Sequence, residues 1–316
     1  MATLERKGNR DAASRRRASR ASLLRDRPEW LGPLMILPAV LYIVLIVGVP
    51  FLLALYYSLS DITIGGRTLG FVGFKHFVEV MQTPKFQVAL KNTFIFAVTA
   101  QVAVMVLATV LALALTWEFP GKWLVRLLIL LPWVAPVSLG AIGWLWILDS
   151  TYSVLNWVLE ALGLVPPYGG FMWLGVPTLA MGSIIAVHVW RILPLATVIL
   201  LAGLSSIPHD IHDAAQVDGA SFWRHLFQIT VPLVRPIMLV AGLFGLVLAF
   251  TDMIVVFVLT RGGPYDTTQV LASLAFFTGV QAGDLAEGAA IAVFLFPLLV
   301  ATAIAFLRVA RRAEVT

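Results

Sequence analysis

Six long apolar segments dominate this sequence and restrict the solvent in which the chain can fold. Each reaches the roughly 20 residues that a helix needs to cross the hydrocarbon core of a bilayer. Hydrophobic residues make up 60% of the chain and charged residues only 12%, whereas a soluble domain carries about 25% charged residues. The sequence therefore predicts an all-α membrane protein built as a six-transmembrane-helix bundle. The predicted spans are Leu34–Ser58, Leu90–Trp117, Trp123–Leu148, Thr178–Leu204, Pro236–Leu259 and Gly288–Leu307.

Lysine and arginine are unequally distributed over the segments between these spans. Nine of the 22 lie within the first 27 residues. If the N-terminus is inside, the cytoplasmic segments hold 16 and the external segments five, with Arg191 left inside the fourth span. Because cytoplasmic loops carry the excess of positive charge, we expect both termini in the cytoplasm. Residues 1–30 are expected to form a disordered basic tail, and residues 31–312 one transmembrane domain.

The second cytoplasmic connection, residues 205–235, is long enough to carry structure of its own. We expect Ser206 to cap a first short helix and Gly219 to end it in the left-handed conformation. Ser221 is expected to cap a second helix that runs to Pro232. The apolar face of this second helix is formed by Phe222, Trp223, Leu226 and Phe227.

This connection resembles the EAA loop of ATP-binding-cassette (ABC) importer permeases. That pattern consists of Glu-Ala-Ala, then a Gly, an Ile and a Leu-Pro pair at fixed spacings. The matching positions here are Asp213, Ala214, Ala215, Gly219, Ile229, Val231 and Pro232. Asp213 replaces the family's Glu and is one methylene shorter, and Val231 replaces its Leu. In the family this loop is the coupling helix, which docks into a groove on the ATPase subunit.

The resemblance extends over nearly the whole chain after the tail and is closest to the sugar-transporting branch. The stretch Leu201–Pro208 resembles that branch's approach to the loop, and Thr260–Pro264 resembles its Thr-x-Gly-Gly-Pro turn. The resemblance implies a type I importer permease of a bacterial cytoplasmic membrane, acting by alternating access. It implies these ATPase-coupling residues: Asp213, Ala214, Ala215, Asp218, Gly219, Ala220 and Phe222.

The same resemblance implies four kinds of partner. They are a second homologous permease subunit, two ATP-binding subunits that bind ATP and Mg²⁺, an extracytoplasmic solute-binding protein, and a sugar-type solute. No cofactor is expected in this chain itself.

Two charged residues lie inside predicted spans, where an ionisable side chain is a functional candidate by default. Arg191 falls in the fourth span and Asp252 in the fifth. Facing one cavity, they would pair with each other and hydrogen-bond to the hydroxyls of a solute, or serve only as a structural pair. Counting from the loop and from the Gly-Gly-Pro turn, the resemblance implies these substrate-binding positions: Arg191, Ile192, Leu195, Gly245, Leu248, Ala249 and Asp252. His188, one turn before Arg191, is more typical of a hydrogen-bonded bundle histidine than of a ligand.

Several functions are disfavoured by the sequence. The single Gly-Lys pair, Gly121 and Lys122, lacks the rest of a phosphate-binding loop, so ATP hydrolysis is expected in a partner and the chain is not expected to be an enzyme. The five histidines have no metal-site spacing, and the placement of the charges gives no reason to expect nucleic acid. A secondary transporter driven by an ion gradient remains the alternative. In the last external loop, Tyr265, Asp266, Gln269 and Gln281 are candidates for contact with a binding protein.

Overall fold

The computed structural model describes residues 28–63, 70–166 and 169–314, and their regular structure is helical. Of the predicted tail, residues 1–30, the first 27 lie outside the described residues. The first helix begins at Pro28. Three π-helical turns interrupt the α-helices, at Val44–Gly48, Leu226–Thr230 and Phe277–Gln281. In chain order the α-helices are α1 (Pro28–Ile43), α2 (Val49–Ser58), α3 (Lys75–Gln82), α4 (Pro84–Ala114), α5 (Lys122–Val134), α6 (Val137–Ile147), α7 (Val154–Ala161), α8 (Pro177–Ser205), α9 (His209–Val217), α10 (Phe222–His225), α11 (Val231–Phe250), α12 (Ile254–Leu259), α13 (Leu271–Phe276) and α14 (Leu285–Glu314).

Five helical stretches within the described residues are long and apolar enough to cross a membrane. The bent pair α5–α6 makes a sixth when it is counted as one span. This agrees with the predicted six-helix membrane protein. The chain divides into two compact units, of which the first ends at Ala54 and the second begins at Leu55. The five long stretches are Gly32–Ser58, Pro84–Ala114, Pro177–Ser205, Phe222–Phe250 and Leu285–Val309.

The third span consists of two helices with a sharp bend between them. Helices α5 and α6 meet at 97°, and Ala135 between them has an extended backbone. A residue that precedes a proline is driven out of the α conformation by the proline ring, and Pro136 follows Ala135. The predicted span Trp123–Leu148 is therefore divided at Ala135 into two helices, and the bend lies beside one of its prolines.

The fifth span begins and ends earlier in the chain than its predicted bounds, Pro236–Leu259. The helix begins at Phe222 and ends at Phe250, and the short helix α12 is separate from it. The predicted end at Pro232 is wrong, because a π turn precedes this proline and the helix continues. The π turn widens the backbone just where a proline ring would clash with a carbonyl of the preceding turn.

The core of the second unit is formed by α4 and α8, with α11 packed against both. Alanines recur on the buried face of α4, and small residues let membrane helices approach closely. An apolar cluster toward the 205–235 connection joins Ala100–Ala112 of α4 to Val189–Leu204 of α8 and to Val234 and Ala241 of α11. A second cluster joins Phe96 and Ala97 to Ile184, Val187 and Ala249. Both clusters involve the same three helices, one above the other.

Candidate solute site and coupling loop

A buried carboxylate joins α8 to the break that follows α11. The Oδ2 atom of Asp252 lies 2.6 Å from Nδ1 of His188 and accepts a hydrogen bond of 2.7 Å from Nη2 of Arg191. Its Oδ1 atom accepts the backbone N–H of Val255 at 3.3 Å, in the first turn of α12. A carboxylate that takes up a first-turn amide favours a helix start at that point. Asp252 thus explains both the end of the fifth-span helix and the beginning of α12.

The three side chains of this cluster are shielded to different degrees. The side chains of Asp252 and His188 are almost completely buried, and that of Arg191 is 15% exposed. A buried charge in a membrane-spanning bundle requires a partner, and Arg191 supplies the opposite charge. The ring of His188 packs edge-on against Phe96 of α4 at 4.9 Å between centroids. The cluster therefore ties α8 to both of its neighbours in the bundle.

The structure brings together the two charged positions that the sequence selected, and distributes the apolar ones around them. Arg191 and Asp252 are in direct contact. Ile192, Gly245 and Ala249 are buried within the bundle, and Leu195 and Leu248 are half-buried. All seven positions lie on α8, on α11 or in the break after α11.

One polar residue of this region escaped the sequence reasoning. Gln101, in the middle of α4, is 7% exposed, and its Nε2 atom has no hydrogen-bond partner among the described residues. Its amide lies directly against Gly245, where a Cβ atom would collide with it. The signal was an amide inside an otherwise apolar span, since polar residues in spans face the bundle interior.

Residues 205–235 form the first short helix that the sequence predicts, and the second helix begins at the predicted place but continues into the fifth span. Gly219 ends α9 with φ of +70°, and the N–H groups of Gly219 and Ala220 donate to the carbonyls of Gln216 and Ala215. This pair of bonds is the Schellman arrangement. Ser221 caps α10, because its hydroxyl accepts the N–H of Arg224. These two predictions are confirmed.

The predicted cap at Ser206 is wrong. Its hydroxyl donates to the carbonyl of Gly203 at 2.7 Å and so satisfies the end of α8. Helix α9 instead begins directly after Pro208, whose backbone is extended. A backbone N–H at a helix start has no partner within the helix, so a proline, which lacks this N–H, loses no hydrogen bond there.

Part of the predicted coupling surface of the loop is exposed. Asp213, Ala214, Asp218, Gly219 and Phe222 are exposed, Ala220 is half-buried and Ala215 is buried. Ala215 therefore packs against the rest of this chain, and its small side chain is not part of the exposed surface. Beside it an aromatic group is exposed: Trp223 stacks on Phe227 with ring centroids 5.8 Å apart and planes 11° apart.

A pair of histidines holds the two loop helices together. Nδ1 of His212 on α9 lies 2.9 Å from Nε2 of His225 on α10. Burial lowers the pKa of His212, and the neighbouring His225 and His209 lower it further, against a smaller opposing effect of Asp213. The pair lines a cavity of ≈ 580 Å³ between the loop and the connection that precedes α5.

The turn after α12, which is predicted to be external, is tightly hydrogen-bonded. Thr268 Oγ1 lies 2.8 Å from Thr260 Oγ1 and donates to the carbonyl of Gly263 at 2.6 Å. Of the candidates for contact with a binding protein, Tyr265 is 94% exposed and Gln281 is exposed, whereas Gln269 is buried against Gly262. The expectation for Gln269 is therefore wrong. Asp266 forms an ion pair with Lys85 at 2.9 Å.

Comparison with known proteins agrees with this architecture. The chain is 32% identical over 92% of its length to the trehalose/maltose transport system permease protein MalF of Thermococcus litoralis, covering 97% of that protein. It is 30% identical over 89% of its length to the sulfoquinovosyl glycerol transport system permease protein SmoG of Agrobacterium fabrum, covering 90% of it.

A solved structure shares the fold. A chain of a bacterial ABC transporter involved in the import of alginate superposes with a TM-score of 0.78 at 22% identity, over 92% of this chain and 99% of that one. Residues 105–315 match the family model described as the binding-protein-dependent transport system inner membrane component. The chain belongs to this family of membrane permease components, as its resemblance to ABC importer permeases predicted.

Proposed function

We propose that this chain transports a sugar or sugar-like solute inward through the cytoplasmic membrane, with both termini in the cytoplasm. In this proposal two ATP-binding subunits hydrolyse ATP with Mg²⁺, and a second homologous permease completes the pathway. An extracytoplasmic binding protein delivers the solute to the outer face. The names of the relatives, among them trehalose/maltose, sulfoquinovosyl glycerol and sn-glycerol-3-phosphate permeases, support this solute class.

The observation that carries the proposal is the geometry of the cytoplasmic loop. Helix α9 is short, its acidic and small side chains Asp213 and Ala214 are exposed, and the left-handed Gly219 leaves open space beside its Cα. A groove on another protein can therefore approach the backbone closely. The continuous helix from Phe222 to Phe250 then connects the loop to Asp252 at its far end. A displacement of the loop by an ATPase would reach the buried cluster through one helix.

The buried cluster suits an exchange of hydrogen bonds. Asp252 and Arg191 satisfy each other in this structure, and each is able to bond to the hydroxyls of a solute when the helices separate. Bonds that involve a charged partner are stronger than neutral ones. The surrounding positions Ile192, Leu195, Leu248 and Ala249 are apolar, which favours a solute with a limited number of hydroxyls in contact with this subunit.

The proposal is tested by the ATPase activity of the complete complex reconstituted in lipid with its binding protein. The panel contains maltose, trehalose, sulfoquinovosyl glycerol and sn-glycerol-3-phosphate. We expect one of these to stimulate hydrolysis and to accumulate inside ATP-loaded proteoliposomes. An assembled complex that hydrolyses ATP but responds to none of them would contradict the sugar-type solute. Uptake that follows an ion gradient without ATP would contradict the coupling to ATPases.

A further inference from the structure

The core of the second unit contains a layer of polar side chains at the level where its two apolar clusters meet. On α4, Gln101 directly follows Ala100 of one cluster and comes four residues after Ala97 of the other. On α8, His188 and Arg191 lie on either side of Val189, where the cluster that contains Val187 gives way to the other. Three helices meet at this level, because α11 contributes Gly245 directly against Gln101.

Two hydrogen-bond donors in this layer are unsatisfied. The Nε2 atom of Gln101 and the Nε atom of Arg191 are buried and have no partner among the described residues. Buried polar groups are normally paired, and an unpaired donor inside a bundle lowers stability. Both atoms are donors, so the group that would satisfy them must present acceptor oxygens.

The glycine opposite Gln101 fits the same interpretation. Any side chain at residue 245 would occupy the space of the Gln101 amide. Position 245 thus leaves Gln101 as the polar group that α4 and α11 present at this level. Arg191 is only partly shielded, with 15% of its side chain exposed, so the layer reaches a surface of the described chain.

We propose that Gln101 lines the solute path and that its amide donates a hydrogen bond to an acceptor oxygen of the solute, alongside Arg191. This inference rests on the proposed transport function and extends its binding site to a third helix, α4. The acceptor is a sugar hydroxyl or the oxygen of an anionic phosphate or sulfonate group. Both chemistries are represented in the panel of solutes above.

The first test does not require the solute to be known. The chain has no cysteine, so Gln101→Cys introduces its only thiol. The complete complex is treated with a cationic, membrane-impermeant methanethiosulfonate, with and without trapping by ATP and vanadate. Modification is read from the intact mass of this chain. We expect modification of the cysteine in at least one of the two states.

Three matched variants control this labelling. Val102→Cys places the thiol on the neighbouring residue, whose side chain is 59% exposed on the outside of the bundle, and Ala108→Cys places it in the apolar cluster. Both should stay unmodified, whereas Tyr265→Cys on the external turn should react. Failure of Gln101→Cys to react in either state, while Tyr265→Cys reacts, would overturn the proposal.

The second test separates recognition from structure. Gln101→Met keeps the length of the side chain but removes the donor, so we expect the complex to be at least as thermostable as the wild type. The solute concentration for half-maximal ATPase stimulation should rise about tenfold, the effect of losing a bond of about 1.4 kcal/mol. Thr109→Val on the same helix, which removes a hydroxyl bonded to Met105, should leave that concentration unchanged.

The outcomes of the two proposals are distinguishable. An unchanged half-maximal concentration in Gln101→Met would overturn the role of Gln101 and leave the transport function intact. A wild-type complex that no sugar stimulates would contradict the transport proposal, and the thiol labelling would still decide whether Gln101 lines the path.

Discussion

Asp252 accepts from Arg191 with the same oxygen that lies 2.6 Å from His188. One carboxylate oxygen thereby holds two basic side chains that are one helical turn apart on α8. The arrangement couples the end of the fifth-span helix to α8, so Asp252 has a structural role in addition to any contact with solute. The structural role and the contact with solute can be separated by experiment, because removing both charges of the pair should restore stability but not the binding of solute.

The first prediction concerns the opposite charges of Asp252 and Arg191. Asp252→Asn leaves Arg191 as an uncompensated buried charge, and breaking a buried pair in this way costs about 3–5 kcal/mol. We expect a lower thermal unfolding temperature of the complex and a loss of solute stimulation. Asp252→Asn combined with Arg191→Gln removes both charges and should restore assembly and thermal stability.

The double variant distinguishes a binding pair from a structural one. If the pair binds solute, the solute concentration for half-maximal ATPase stimulation should stay raised by at least about tenfold, because a hydrogen bond to a charged group contributes about 1.5–3 kcal/mol. Full recovery of solute-stimulated ATPase activity together with stability would show that the pair only holds the helices.

The cytoplasmic loop provides the second prediction. Gly219→Asp introduces a side chain into open space at φ of +70°, so the helices should still insert, with a local cost of about 1–2 kcal/mol for the left-handed backbone. The new carboxylate projects into the exposed coupling surface. We expect ATP hydrolysis by the complex to become independent of solute, and uptake into proteoliposomes to be lost.

Gly163 offers a matched control for this substitution. It has the same φ of +70° and the same open space beside it, but follows α7, in a connection that the distribution of lysine and arginine predicts to be external. Gly163→Asp carries the same backbone cost and should transport normally. Wild-type transport by Gly219→Asp would refute the assignment of the loop as the coupling element.

The sequence predicted the bundle and the loop well because both depend on local patterns. Apolar length sets the spans, and Gly219 and Ser221 set the ends of the loop helices through their own backbone chemistry. Where the outcome differs, two local arrangements were open. Ser206 lies between the end of α8 and the start of α9, and its hydroxyl satisfies a carbonyl at the end of α8 instead of capping α9. The bend at Ala135 follows from the proline after it, inside a stretch that is apolar enough to count as one span. Gln101 was missed although an amide inside an apolar span is a signal, because its contact with Gly245 joins residues 144 positions apart in the chain.

The external turn provides the third prediction. Asn92 on α4 donates to the carbonyls of Thr267 and Gln269 at 2.7 and 3.0 Å. Asn92→Leu would leave both carbonyls without this donor, at a cost of about 1 kcal/mol for each bond. We expect a lower thermal unfolding temperature and weaker binding of the solute-binding protein. Thr109→Val, whose lost bond lies within one helix, should change neither, and an unaltered binding affinity in Asn92→Leu would show that the turn does not need this support.

The histidine pair of the loop provides the last prediction, a dependence of coupling on pH. The hydrogen bond between His212 and His225 requires one ring nitrogen without a proton as acceptor. Burial holds the pKa of His212 below its ordinary value, so the folded loop favours the neutral ring. The unfolded loop binds more protons between this lowered pKa and the ordinary value of about 6.5. Stability of the loop therefore rises with pH across that interval and is lost as the pH falls through it.

Acidification should consequently weaken coupling before it affects the bundle. We expect the ratio of solute-stimulated to basal ATPase activity to fall between pH 7.5 and pH 5.5, beyond any loss of basal hydrolysis. The other charged or titratable groups that line this cavity are Glu118, Lys122, Arg126, His209 and Asp213. His212→Asn keeps a group able to bond to His225 but does not titrate, so its ratio should be flatter with pH. His209→Asn removes one of the groups that lower the pKa of His212 but leaves the pair in place, so its ratio should still fall with acidification. An equal acid loss in His212→Asn and the wild type would assign the effect to one of the other groups.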